Sequence, residues 1–187
     1  MNIATEVILV LNLLAIPNPL SGYIATQAPG FLVYENDDFK FSILYPTDWK
    51  KEEETVSKSS NINIVVSFVK QSKNHITTEA DLYVKTEEFL GKNITLEKFA
   101  QIQKAYTAPL LGVSSFNEAI TIIENRPAWQ LEYTFKGIGG TIRQGMNNLI
   151  INDDIGFSVV FTADKERYDR YFPIAQKMIN SFQTSIK

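Results

Sequence analysis

The sequence predicts an α+β fold, a mostly antiparallel sheet assembled from hairpins with one helix inserted mid-chain and another at the end. Three observations carry that reading. Period-2 alternation dominates from Phe31 onward, the mark of half-buried strands. Two windows instead space their apolar residues three and four apart, as one face of a helix does. Turn residues separate the alternating runs at short intervals, so successive strands meet as hairpins.

Phe31 to Glu35 and Phe39 to Tyr45 form a short pair around Asn36-Asp37-Asp38, with Phe39, Phe41, Ile43 and Tyr45 on one face. Pro46 breaks the second strand, because proline has no N–H to give a ladder. Glu52-Glu53-Glu54 through Ser60 is polar and reads as a solvated turn. Ile62 to Lys70 is a strand with Ile62, Ile64, Val66 and Phe68 on one side, and Asp81 to Lys85 is a shorter one. Leu96, Phe99, Ile102 or Gln103, and Tyr106 make one stripe on a helix from Thr95 to about Thr107. Thr95 is placed to cap it, and Pro109 and Gly112 end it.

Ala119 to Glu124 and Ala128 to Lys136 read as a hairpin across Asn125-Arg126-Pro127, where the locked φ of proline sets the turn. In its second arm Trp129, Leu131, Tyr133 and Phe135 alternate with Gln130, Glu132, Thr134 and Lys136. Gly137-Ile138-Gly139-Gly140 is a flexible turn, and Thr141 to Asn152 pairs with Ile155 to Ala163 across Asp153-Asp154. Asp164 caps a turn over Lys165 to Tyr168. The last helix carries Pro173 in its first turn, runs to about Gln183, and turns Phe172, Ala175, Met178 or Ile179, and Phe182 inward.

Composition narrows the function. Of 187 residues, 44% are apolar and 21% charged, which excludes wholesale disorder. A domain of this size buries enough surface to need no disulfide or metal staple. A net charge of −3 removes the basic footprint of a nucleic-acid-binding domain. With no Cys and one His, thiol nucleophiles, iron–sulfur clusters and Cys-based zinc sites are excluded, and His75 is the sole base open to a His-dependent triad.

No repeat or second hydrophobic centre divides residues 29–187, which read as one domain. Ahead of it, Val7 to Ile16 is an apolar run followed by Pro17-Asn18-Pro19 and small or polar residues from Ser21 to Ala28. About 10 apolar residues are too few for a membrane-spanning helix, which takes about 20, but they suit the hydrophobic region of a signal peptide. Residues 1–28 are therefore read as a signal peptide or N-terminal membrane anchor, and the protein as extracytoplasmic. The alternative is a cytoplasmic protein with this segment folded into its core.

Three phrases then resemble the PsbP family. They are Phe41-Ser42-Ile43-Leu44-Tyr45-Pro46-Thr47-Asp48-Trp49, Asn125-Arg126-Pro127-Ala128-Trp129-Gln130-Leu131-Glu132-Tyr133, and Phe172-Pro173 leading to Met178-Ile179-Asn180-Ser181-Phe182. In this order and at these separations they span residues 31–184. The resemblance is to the PsbP-like proteins found outside photosynthesis, especially in archaea, since this sequence does not show the long basic N-terminal extension through which the photosynthetic members act. It implies an α/β/α sandwich, a central mostly antiparallel sheet flanked by helices. It also implies a small exported accessory protein that binds a membrane or cell-surface assembly without catalysis, hence a membrane-associated protein partner of unknown identity. Physically the phrases read as packing devices: Trp49 closes the core edge after the Tyr45-Pro46 stop, and Phe182 sits under the last helix.

Reactive constellations are sparse. His75 and Ser72 share a polar stretch with nothing to orient the imidazole. Gly137 to Gly140 joins two strands and lacks the helix and lysine of a phosphate cradle. The carboxylate neighbours Asp37-Asp38, Glu52-Glu53-Glu54, Glu87-Glu88 and Asp153-Asp154 point to different sides of their elements, whereas a hydrolase needs two acids facing across a cleft. Asp37 and Asp38, or Asp153 and Asp154, are candidates for a weakly held divalent cation; no other cofactor is expected. The uncharged stretch Ala108 to Val113 offers Pro109, Leu110, Leu111 and Val113 as a partner-docking loop, or as a segment tucked between sheet and helix. The resulting reading is a non-catalytic exported binding domain. A carboxylate-based hydrolase and a cytosolic small-GTPase-binding regulator of the same superfold are the alternatives.

Overall fold

Hairpin after hairpin lays down one antiparallel sheet in the computed structural model, which describes residues 30–53, 62–74 and 77–184. The chain opens with a separate two-stranded ribbon, β1 (Phe31–Asn36) and β2 (Phe41–Pro46). The main sheet follows: β3 (Lys50–Glu53), β4 (Ile62–Gln71), β5 (Thr78–Glu88), β6 (Asn117–Ile123), β7 (Arg126–Lys136), β8 (Ile142–Asn152) and β9 (Ile155–Asp164). Its spatial order is β3-β4-β5-β9-β8-β7-β6. Helix α1 (Leu96–Leu111) packs on β7 and β8 on one face, and α2 (Tyr168–Asn180) packs on β9, β5 and the ribbon on the other. The expected α+β sandwich of sheet and flanking helices is present.

Strand alternation divides the core between the two faces. Val66, Phe68, Leu82, Met146, Phe157 and Phe161 point toward α2 and the ribbon, where Phe41 and Phe182 meet them. Leu131 and Leu149 point the other way, to Phe99 and Ala100 of α1. Each buried Phe of the larger cluster contributes about 2 kcal/mol through lost apolar exposure, and Phe41, Phe157 and Phe182 form a ring triad 5.5–5.9 Å apart. The closing phrase also stitches the chain end to β2: Leu44 N donates to Ser181 Oγ at 2.9 Å, and Ser42 and Gln183 exchange backbone bonds. Trp49 is buried edge-on against Tyr171.

Several expectations are corrected. Glu52-Glu53 is no turn but part of β3, an edge strand exposed along its length. With neither face buried it carries no alternation, and its charges discourage further strand pairing. In β4 a register shift between Ile64 and Val66 places Val65 and Val66 both inside, so Ile64 is 43% exposed and leaves the face of Phe68. Strand β5 is 11 residues long rather than five, since its other face buries polar side chains. Helix α1 is capped by Thr95, whose hydroxyl accepts from Lys98 N at 3.1 Å. It runs through Pro109 to Leu111 and ends at Gly112 in the left-handed region (φ 65°). Pro109 forfeits one hydrogen bond of the last turn without stopping it. Tyr106 is 54% exposed, off the inner stripe of Phe99, Ala100 and Gln103.

The β6–β7 turn is Glu124-Asn125, both left-handed (φ 54° and 58°), which is a two-residue type I′ turn. Arg126-Pro127 belongs to β7. Pro127 faces Ile122 one pair beyond the turn-closing pair, so its missing N–H points away from β6, and β8 begins pairing only at Trp129. In α2, Pro173 lies well inside the helix, which ends at Asn180. Asp164 caps nothing: its carboxylate is drawn to Arg143 at 3.3 Å and Arg167 at 3.7 Å.

Helix α2 is fastened to β5 where the Tyr171 hydroxyl donates to Glu79 Oε2 and Arg167 reaches Glu79 Oε1 at 2.8 Å. The Tyr171 hydrogen bond, then Arg167, hold the Glu79 carboxyl below its usual 4.5. A depressed carboxyl contributes stability above its unfolded value and loses it as pH falls through the folded one. Tyr171→Phe is therefore expected to flatten the acid limb below pH 4.5. Urea midpoints measured across that limb for both proteins check this, and parallel limbs refute it.

Candidate functional site

Helix α1 covers only part of its face of the sheet. Beyond Leu111 the ends of β5, β7, β8 and β9 lie open and form the floor of a cleft of about 870 Å³. Register assembles that floor. Asp81 pairs with Thr162, Tyr133 with Gly145, and Arg143 with both Phe135 and Asp164. Gly145 is required there: a Cβ would sit 2.7 Å from the Tyr133 ring. Leu111 and Ile138, the latter in the β7–β8 turn, stand at the walls.

Arg143 is the hub. Its Nη2 donates to Asp81 Oδ1 at 2.6 Å and Thr162 Oγ1 at 2.7 Å. Its Nη1 donates to Thr78 O at 3.2 Å and Asp164 Oδ1 at 3.3 Å. Thr162 in turn donates to Asp81 Oδ1 at 2.8 Å. Burial pushes the Asp81 carboxyl above its usual range, against the opposing pull of Arg143 and Thr162. Burial also pushes the Tyr83 and Tyr133 phenols well up, so both stay protonated. Neither hydroxyl has a hydrogen-bond partner among the described residues, and Tyr133 is only 6% exposed. The floor thus holds two neutral donors beside a guanidinium already committed to two carboxylates.

A second polar group lies under α1 itself. Lys85 Nζ donates to Gln103 Oε1, and Gln103 Nε2 donates to Glu87 Oε2 at 2.7 Å. Burial lowers Lys85 and raises Glu87. Gln103 is fully buried, so this chain fastens the helix to β5 and presents nothing to a ligand.

The acids singled out from the sequence go elsewhere. Asp37 and Asp38 are exposed in the β1–β2 turn. Asp153 and Asp154 make the β8–β9 turn, with Asp153 left-handed (φ 52°) and Asp154 O accepting from Phe89 N at 2.7 Å. Each turn offers a carboxylate pair, and among the described residues no three His, Cys, Asp or Glu side chains gather as a cation site would need. Ser72 accepts from Thr77 N and donates to Asn74; His75 lies outside the described residues, as do Val7 to Ile16. Of the docking segment, Leu110 is 80% exposed, Pro109 is exposed, Leu111 lines the cleft, and Val113 is buried.

Sequence reading missed Asp81, Tyr83, Tyr133 and Arg143 as members of one site. The available signal, polar residues at 81, 83, 85 and 87 alternating with the apolar 80, 82 and 84, marks a strand with one solvated face, so nothing local showed that the polar face is covered.

No family model and no curated protein matches this chain. Solved structures do. A cyanobacterial PsbP (CyanoP) from Synechocystis sp. PCC 6803 superposes with a TM-score of 0.61 at 16% identity, covering 90% of this chain and all of that one. LpqN of Mycobacterium tuberculosis, involved in cell envelope biogenesis, gives 0.54 at 12% identity over 82% of this chain and 89% of that one. The Ran-binding protein Mog1p of Saccharomyces cerevisiae gives 0.54 at 9% identity over 82% and 95%. At these identities the likeness is one of fold.

Proposed function

We propose that this chain is a non-catalytic exported domain that binds a protein of a membrane or cell-surface assembly through the apolar shoulder where α1 ends. One observation carries the reading. Leu110, next to the cleft-lining Leu111, is 80% exposed, Ile138 is wholly exposed, and the cleft's Arg143, Asp81 and Asp164 satisfy one another internally. Apolar side chains held out by a helix end and a tight turn suit a protein contact. Asp81 and Asp164 share one guanidinium, an arrangement that leaves neither free as the acid or base of a hydrolase. Support for a binding role comes also from fold neighbours that include a Ran-binding protein and a cell-envelope protein. The Val7 to Ile16 run supports export. Among the described residues no helix is long and apolar enough to cross a membrane.

Wild type and a Leu110→Glu/Ile138→Glu variant, used as paired baits on membrane extracts, test this. The variant is expected to unfold within about 0.5 kcal/mol of wild type, because both side chains are solvated. It should lose a partner that wild type retains. Equal recovery by both baits, or recovery of wild type from the cytosol alone in cell fractionation, overturns the reading.

A further inference from the structure

We propose that the cleft beside the end of α1 is a binding site for a small, uncharged, flat apolar molecule carrying a carbonyl-type hydrogen-bond acceptor. Three observations on the site lead there. The first is the pair of phenols. Tyr83 and Tyr133 both line the cleft, and no described protein group accepts from or donates to their hydroxyls. Neither oxygen is among the buried unpartnered atoms, so both hydroxyls open to the cleft as donors that the protein does not use and an acceptor can take. Because burial keeps both phenols protonated, they offer O–H donors across the ordinary pH range.

The second is charge. Glu52, Asp81 and Asp164 line the cleft together with Lys136, Arg143 and Arg167, so no net charge selects an ion. Four N–H groups of Arg143 are engaged inside the protein, and Arg167 is held by Glu79 and Asp164. An anionic ligand would have to break one of these pairs or rely on Lys136, which is solvent-exposed.

The third is shape and lining. About 870 Å³ is the size of a small-molecule site, and Val69, Leu111, Phe135 and Ile138 supply apolar walls around the polar floor. Apolar walls with a few convergent donors orient a ring system by its acceptor. This site shares Ile138 with the protein-partner shoulder but not Leu110, which does not line the cleft, so a change at Leu110 separates the two readings.

The naphthyl ketone prodan, whose emission shifts on leaving water, is the direct probe, titrated with the full chain. Saturable binding is expected, with displacement by 2-acetylnaphthalene. Displacement by 2-ethylnaphthalene, which lacks the acceptor, and by 2-naphthoate, which is charged, should be about tenfold poorer. A Tyr83→Phe/Tyr133→Phe variant keeps both rings and should keep the wild-type unfolding midpoint while binding prodan about tenfold more weakly. Leu110→Glu should bind prodan as wild type does, even where it abolishes the protein contact. No saturable binding, equal competition by 2-ethylnaphthalene, or unchanged affinity in the folded double Phe variant overturns the proposal.

Discussion

Gly156→Ala is expected to lower the stability of this domain by about 2–3 kcal/mol, an overpacking cost out of proportion to one methyl group. The added Cβ would lie 2.7 Å from Phe99 Cζ and 2.8 Å from Phe89 Cε2. Neither ring can step aside. Phe99 is fully buried, Phe89 is 4% exposed, and the two meet edge to face at 5.4 Å. The missing side chain of Gly156 on β9 is what lets the first turns of α1 rest on the sheet, so the strain lifts the helix. Urea unfolding measures the loss. A Phe99→Leu partner substitution tells crowding from a general strand effect: the double variant should be at least about 1 kcal/mol more stable than the two single losses predict. Additive losses would show that the contact does not set helix placement.

Arg143→Met is expected to cost about 3–4 kcal/mol at neutral pH, the scale seen when one member of a buried ionic group is removed. It strands Asp81, leaves Asp164 only the longer contact to Arg167 at 3.7 Å, and leaves Thr78 O without its donor. The loss has a definite pH dependence. Asp81 is raised by burial even with Arg143 beside it, and Arg143 is the foremost group holding it down, so the variant raises it further. A carboxyl raised in the folded state destabilises above that value, and the penalty fades as pH falls through it toward 3.8. The gap between wild type and variant should therefore narrow on acidification, and Asp81→Asn in the variant background should recover about 1–2 kcal/mol at neutral pH. A gap that stays constant with pH would mean that the lost packing of the Arg143 stem, not its charge, was responsible.

Elements with one dry face were readable in the chain. The run Trp129, Leu131, Tyr133, Phe135 alternates because one side packs toward α1, and β7 lies where that pattern predicts. The two helices announced themselves by three- and four-residue spacing, and Thr95 by its capping position. Strand β3 was invisible, since exposure on both faces leaves no pattern. Strand β5 was cut short, because Asp81, Lys85 and Glu87 look like surface residues until partners are found, in Arg143 62 positions away and Gln103 at 18 and 16. Prolines misled in three places. Pro109 and Pro173 each cost a helix one bond that packing outweighs, and Pro127 sits where β7 has no neighbour to receive an N–H.

Local spacing of apolar side chains determined, without coordinates, that this is a hairpin-built sheet with two helices, and cysteine and histidine content removed whole classes of chemistry. Which side chains share a cleft was decided only by folding. Tyr83, Tyr133, Arg143 and Thr162 come from four different strands, and a shift of one residue in register would send any of them to the opposite face. Long-range pairing is a property of the whole sheet, and no window of sequence contains it.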